Sequence, residues 1–370
     1  MYSYRSSAIW LAAAVALAAI LIVALSQRPS KEPTKPEQTQ TEVSIAKLAE
    51  NVAQDLEVPW EVAFLPANEL LVTERPGRLL KIGKDRQAIP IEAVQHVGEG
   101  GLLGLALHPD FGKNQLIYLY LTTKTGEGLT NRVERYRLDG SKVADRKVLL
   151  ENIPGAAFHD GGRMAFGPDK KLYITTGDAS NKPLAQDKNS LAGKILRLND
   201  DGSIPNDNPF GNAVWSYGHR NPQGIAWDNK ERLWATEHGA KAHDEINLIE
   251  RGANYGWPDI QGDQTKNGMV KPVLHSGATT TWAPSGLAFL DGKLYFSGLV
   301  SETLFEIAVN QDGTLGELKT HLKGEYGRLR AAVAGPEGKL YISTSNRDGR
   351  GNPKQADDKV IRVEIKNLGL

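Results

Sequence analysis

The sequence predicts an all-β fold, a six-bladed β-propeller of four-stranded antiparallel blades, and three observations carry the prediction. One local pattern occurs six times along the chain, its copies lie a blade's length apart, and no stretch reads as a long amphipathic helix. The pattern is a small residue and an apolar pair, then a Pro/Asp/Gly-type turn, then an alternating apolar strand. It appears as WEVAFLPANELLVTE from Trp60, GLALHPDFGKNQLIYLY from Gly104 and GRMAFGPDKKLYITTGD from Gly162. It returns as GIAWDNKERLWATEHG from Gly224, GLAFLDGKLYFSGL from Gly286 and AAVAGPEGKLYISTSN from Ala331. The equivalent positions are Ala63, Ala106, Ala165, Ala226, Ala288 and Val333, at intervals of 43, 59, 61, 62 and 45 residues. A four-stranded sheet takes roughly 40–50 residues and cannot cover both its faces alone, so such units stack, and a closed ring protects their edges. The longer middle intervals leave room for loops, which in a ring converge on the axis.

Composition narrows what such a ring could do. The 370 residues carry 44 Lys plus Arg and 44 Asp plus Glu, a formal net charge of zero, so the basic surplus of a nucleic-acid binder is missing. There is no cysteine, which excludes disulfides, thiolate metal sites and a cysteine nucleophile. Ile9 to Leu25 form an uncharged apolar run between Arg5 and Arg28, about 25 Å long as a helix. Residues 1–28 are therefore expected to be a signal peptide or an N-terminal membrane anchor, and residues 29–42, rich in Pro, Lys, Glu and Gln, a flexible linker. Residues 43–370 form the propeller body, expected outside the cytoplasm and touching a membrane only through the N-terminal segment. Monomer and homodimer are both open.

Polar residues gather at the ends of the predicted strands. His159 stands before Gly161 and Gly162, and Asp178 closes the next strand nineteen residues later. In a blade these positions meet at one end, where an imidazole beside a carboxylate can serve as a general base or as a structural hydrogen bond. SYGHRNPQG follows, placing His219, Arg220, Asn221 and Gln223 at a turn; a fixed guanidinium there would stabilise an oxyanion or bind a carboxylate. Asp244 and Glu245 lie between a Gly-containing loop and an apolar strand, with Tyr255 in the next loop, a setting suited to calcium; His238 and His243 lack a recognisable metal-binding spacing. Arg328 and Arg330 are two apart and face one way on a strand, a receptor for carboxylates or phosphate. Trp215, Trp257 and Trp282 could stack on a planar ligand or pack in the core.

Together the segments VGEGGLLGLALHPDF, HDGGRMAFGPDKKLYITTGD, SYGHRNPQG, DEINLI, NYGWP and RLRAAVAGPEGKLY resemble the glucose/sorbosone dehydrogenase family, soluble quinoproteins that oxidise aldoses with pyrroloquinoline quinone (PQQ). The resemblance runs from about Leu56 to Glu364. It implies that His159 removes the proton of the sugar C1 hydroxyl while hydride passes to PQQ C5, giving the lactone. Asp178 would orient His159, and Arg220 and Asn221 would lie on the cofactor. Main-chain oxygens of Gly239 and Ala240 would bind the calcium that chelates PQQ. Glu245 and the Tyr255 carbonyl would hold a second Ca2+, and Arg328 and Arg330 would pair with PQQ carboxylates. Electrons would leave to an external acceptor such as a quinone, a cytochrome or a dye. Three positions depart from the family pattern: Glu99 stands where a cofactor-contacting glutamine is usual, Val300 and Ser301 where a lysine is usual, and Phe158 where some members carry an acidic substrate contact. Two other readings remain, a calcium-dependent propeller hydrolase of lactonase type in which His159 activates water, and a non-catalytic binding propeller.

Overall fold

The computed structural model describes residues 48–368, and within them six four-stranded antiparallel sheets form the six-bladed propeller. Blade 1 begins with Pro59–Phe64, blade 2 with Leu102–Leu107, blade 3 with Met164–Phe166, blade 4 with Pro222–Trp227, blade 5 with Pro284–Leu290 and blade 6 with Leu329–Ala334. These first strands surround the axis, each packed against the first strands of its two neighbours, including blade 6 against blade 1. The ring closes by strand exchange. Ala49–Ala53, at the start of the described chain, pairs antiparallel with Val360–Val363 and supplies the outermost strand of blade 6. The expected leader and linker lie outside the described residues; among those described, no helix is long and apolar enough to cross a membrane.

The six repeat positions fall in register. Ala63, Ala106, Ala165, Ala226, Ala288 and Val333 stand opposite Leu71, Tyr118, Tyr173, Trp234, Tyr295 and Tyr341 of the second strands. Their small side chains line an axial cavity of about 680 Å³, while the larger partners fill the wedge between blades. Period-2 alternation makes those wedges. In Leu172–Thr176, Leu172 and Ile174 join the core shared with Tyr118 and Tyr120 of blade 2, while Tyr173 joins Ile225 and Leu233 of blade 4. Both faces of the second strand are thereby buried, and six apolar clusters separate the six blades. Burial falls off outward, so the outermost strand of blade 1, Arg86–Pro90, is mostly exposed.

The first hairpin of blades 1, 2, 4, 5 and 6 carries a register shift near the start of its first strand. Bulges of this kind bend a strand and re-aim its side chains. They all lie at the same end of the ring, and the polar residues collect there.

Candidate active site

His159 lies in the link between blades 2 and 3, and Asp178 just beyond the second strand of blade 3 (Leu172–Thr176). Their side chains meet with Nδ1 to Oδ1 at 2.7 Å. Gly177 makes the approach possible, because a Cβ there would collide with the His159 carbonyl. His159 adopts φ +65°, a left-handed conformation that costs a β-carbon-bearing residue energy and persists only where its surroundings enforce it. They do so here: the His159 N–H donates to Glu99 Oε2 at 3.0 Å, and its carbonyl accepts the Ala179 N–H at 3.2 Å. Asp178 is fully buried; its Oδ1 also accepts the Ser180 N–H at 2.8 Å, and its Oδ2 accepts the Trp257 indole N–H at 2.8 Å. Burial alone would raise this carboxyl, but the His159 and Trp257 donors hold it below the ordinary aspartate value.

Arg220 fixes the proton on the imidazole. Its Nη2 lies 3.0 Å from His159 Nε2, and a guanidinium can only donate. Nε2 must therefore present a lone pair, which puts the ring proton on Nδ1, facing Asp178. Arg220 is held in turn by its Nη1 donating to the His238 carbonyl at 3.1 Å and by the turn beneath it. There the buried His219 bridges Ser216 Oγ (2.9 Å) and Glu237 Oε2 (2.8 Å), and Glu237 Oε1 accepts the Arg220 N–H.

His159 and Arg220 border a cleft of about 230 Å³ at the hub, lined also by Arg328, Arg330, Arg350 and Lys241. The two arginines predicted to share a face do share it: Arg328 pairs with Asp348 at 2.9 Å, and Arg330 lies 3.7 Å from the same carboxylate. Burial, with the Arg75 charge nearby, pushes Arg330 down to about 9. Glu99, the unexpected carboxylate, is neutralised. Although burial opposes ionisation, the His159 N–H, His238 and Arg350 bring it down to about 2, and Arg350 Nη1 lies 2.9 Å from its Oε1. Five Lys and Arg side chains thus face three carboxylates, Glu99, Asp160 and Asp244, across the cleft. Asp244 is taken up by the N–H groups of Gly239, Trp282 and Ala283, and burial pushes Asp160 up to about 6. The balance favours an anionic ligand.

The other expected residues are placed as follows. Asn221 does not line the cleft; it lies behind Gly161, whose N–H its Oδ1 accepts at 3.1 Å. Gly239 borders both the cleft and a void of about 10 Å³ lined by Glu237, His243, Glu245 and Tyr255, whereas Ala240 borders neither. Burial and the Glu237 charge push Glu245 up to about 8. Two carboxylates beside an ion-sized void, with main chain at hand, suit a hard cation such as calcium, although no cluster of three or more acidic or histidine ligands occurs among the described residues. Trp282 packs with Phe296 and Phe305 in the core, and the partly buried Trp215 packs under Arg197 against the blade 3–blade 4 cluster, so neither lines the cleft. Sequence reasoning missed Arg350, Asp348, Lys241 and Trp60. Val300, exposed where a lysine was expected, lines the mouth.

Fold and site define a six-bladed propeller whose hub carries an oriented histidine inside a cation-lined cleft. The glucose / sorbosone dehydrogenase family model matches residues 56–354. Aldose sugar dehydrogenase YliI of Escherichia coli is 36% identical over 70% of this chain and 80% of its own. The PQQ-bound aldose sugar dehydrogenase of Streptomyces coelicolor superposes with TM-score 0.82 at 39% identity, covering 86% of this chain and 97% of that one. An oxidoreductase (glucose dehydrogenase) from Thermus thermophilus gives TM-score 0.82 at 42% identity, over 85% and 99% of the two chains. The chain belongs to the glucose/sorbosone dehydrogenase family and is an oxidoreductase of sugar CH–OH groups.

Proposed function

We propose that the protein oxidises aldoses at C1 to lactones with PQQ held in the hub cleft. The observation that carries the reading is the His159 Nε2 lone pair, fixed by Asp178 and Arg220, opening on the same cleft as Arg328, Arg330, Arg350 and Lys241. A tricarboxylate fits that cation set, and the pairing of Glu99 with Arg350 removes the repulsion its charge would otherwise bring. Bound there, PQQ would supply the two-electron acceptor for the sugar C1–H bond. His159 takes the C1 hydroxyl proton at Nε2, and Asp178 stabilises the imidazolium through Nδ1–H. As the hydroxyl arrives, Arg220 Nη2 yields Nε2 to it and keeps its charge beside the reacting atoms. Glu245, with the void beside Glu237 and Tyr255, would hold a Ca2+, and Gly239 would contribute main chain to the calcium at the cofactor. Electrons leave to an external acceptor. The apolar run at Ile9–Leu25 supports export, with the enzyme working outside the cytoplasm.

The test is dye reduction by purified apoprotein supplied with PQQ, Ca2+ and a panel of aldoses. Activity requiring both additions is expected, with a fall on the order of 10²–10⁴-fold in His159→Ala. Lactone cleavage without PQQ would replace this reading with the hydrolase, and inertness in both assays with the binding propeller.

A further inference from the structure

We infer that Trp257 is a positioning residue that tunes the basicity of His159 by gripping both of its partners at once. This rests on His159 acting as the base. Trp257 is 5% exposed and lies in the loop after the third strand of blade 4 (Glu245–Ile249). Its indole N–H donates to Asp178 Oδ2 at 2.8 Å, leaving Oδ1 for the imidazole. Its π face lies under the Arg220 guanidinium, 5.4 Å from centroid to Cζ, and that guanidinium covers the other imidazole nitrogen. One ring therefore sets the angle of the carboxylate and the standing place of the arginine. The loop is anchored for this work: the Trp257 N–H donates to the Gly218 carbonyl at 2.9 Å, and its carbonyl accepts Gln186 Nε2 at 2.7 Å.

The sign of the effect follows from proton chemistry. The charged groups facing His159 are Asp178, Arg220, Glu99 and Asp160. A donor on Asp178 Oδ2 draws charge from the carboxylate and weakens its pull on Nδ1–H. Removing only that donor makes Asp178 the stronger acceptor, stabilises the imidazolium and makes His159 more basic. A more basic His159 stays protonated to higher pH, so the acid limb of the kcat/KM profile moves upward.

The experiment uses two replacements of Trp257, Trp257→Phe and an isosteric benzothienylalanine that keeps the ring system and loses the N–H. With PQQ, Ca2+ and an aldose, the acid limb is expected to rise by about 0.5–1 pH unit and kcat to fall about 3–10-fold, with PQQ titration by absorbance unchanged. Titration of the His159 imidazole by NMR in apoprotein should show the same upward shift, and it needs no turnover. If PQQ-dependent turnover is absent from the wild type, the functional reading fails while the NMR titration still judges Trp257. Unchanged His159 titration in the folded isosteric variant, or a change confined to PQQ affinity, would overturn the inference.

Discussion

Glu99 shows how one side chain can answer two demands at the hub. Its carboxylate caps the N–H of His159, the residue whose positive φ needs enforcement, and its charge is matched by Arg350 from the loop after the second strand of blade 6. Because its folded pKa is depressed to about 2, Glu99 contributes stability that is present above its unfolded value of 4.5 and lost as pH falls toward 2. Glu99→Gln should flatten the acid limb of the stability curve by about 2 kcal/mol after solvent screening of the partly exposed pair, read by urea unfolding from pH 7 down to pH 2.5. The amide still accepts from His159, so aldose oxidation at neutral pH should fall by less than about tenfold. Arg350→Ala should weaken PQQ in an absorbance titration, because it leaves Glu99 unpaired in the cleft, and restoring affinity in the Glu99→Gln/Arg350→Ala double variant would identify the cause. Equal PQQ affinity in all four proteins would remove Arg350 from this role.

Loops between strands do the positioning, and the segment from Lys182 to Lys194 does much of it. Lys194 is fully buried, and its ammonium donates to the carbonyls of Leu184 (2.8 Å), Ala185 (3.0 Å) and Ala192 (2.6 Å), tying the loop to its own strand. That loop carries Gln186, which holds the Trp257 carbonyl. Lys194→Met should cost about 2–3 kcal/mol by leaving carbonyls without their donor, measured by urea unfolding at pH 7. Burial lowers the folded pKa of Lys194 to about 7, below the unfolded 10.5, so between these values the unfolded chain binds more protons and wild-type stability gains as pH rises. The deficit of the variant should therefore widen from pH 7 to pH 10; a constant deficit would mean that the buried amine does not titrate. The sequence disclosed some of these elements and hid others for a physical reason. Hairpins were legible because alternation and turn chemistry are local, and His159 with Asp178 was legible because the two flank one hairpin. Arg350 was not legible, since its partner Glu99 is 251 residues away and only ring closure joins them. Trp257 looked like a residue for stacking or for the core, since nothing near it in sequence announces Asp178, 79 positions upstream.

Closure governs the whole molecule, because every blade but one is finished by its own chain segment. Blade 6 borrows Ala49–Ala53, whose middle residues are exposed and carry little apolar pattern, which is why the segment reads poorly as a strand. Its grip is the ladder to Val360–Val363, with Ala53 packed beside Leu56 and Val62 at the blade 6–blade 1 boundary. The Glu50–Arg362 ion pair is largely solvated and adds little. Removing the strand uncovers the edge of Val360–Val363 and loosens the boundary across which Arg328, Arg330 and Arg350 meet Glu99 and His159. A chain starting at Gln54 should accordingly unfold about 2–4 kcal/mol more easily than one starting at Val43, from four paired positions at about 0.5–1 kcal/mol each. It should also bind PQQ more weakly, because the cations of blade 6 lose their fixed distance from His159 and Glu99. A peptide spanning residues 47–55, added in trans, should pair with the open edge and restore both the urea midpoint and the PQQ titration. If the shortened chain matches its control in both measurements, the packing of the six first strands around the axis and the blade 6–blade 1 apolar boundary hold the ring without the borrowed strand.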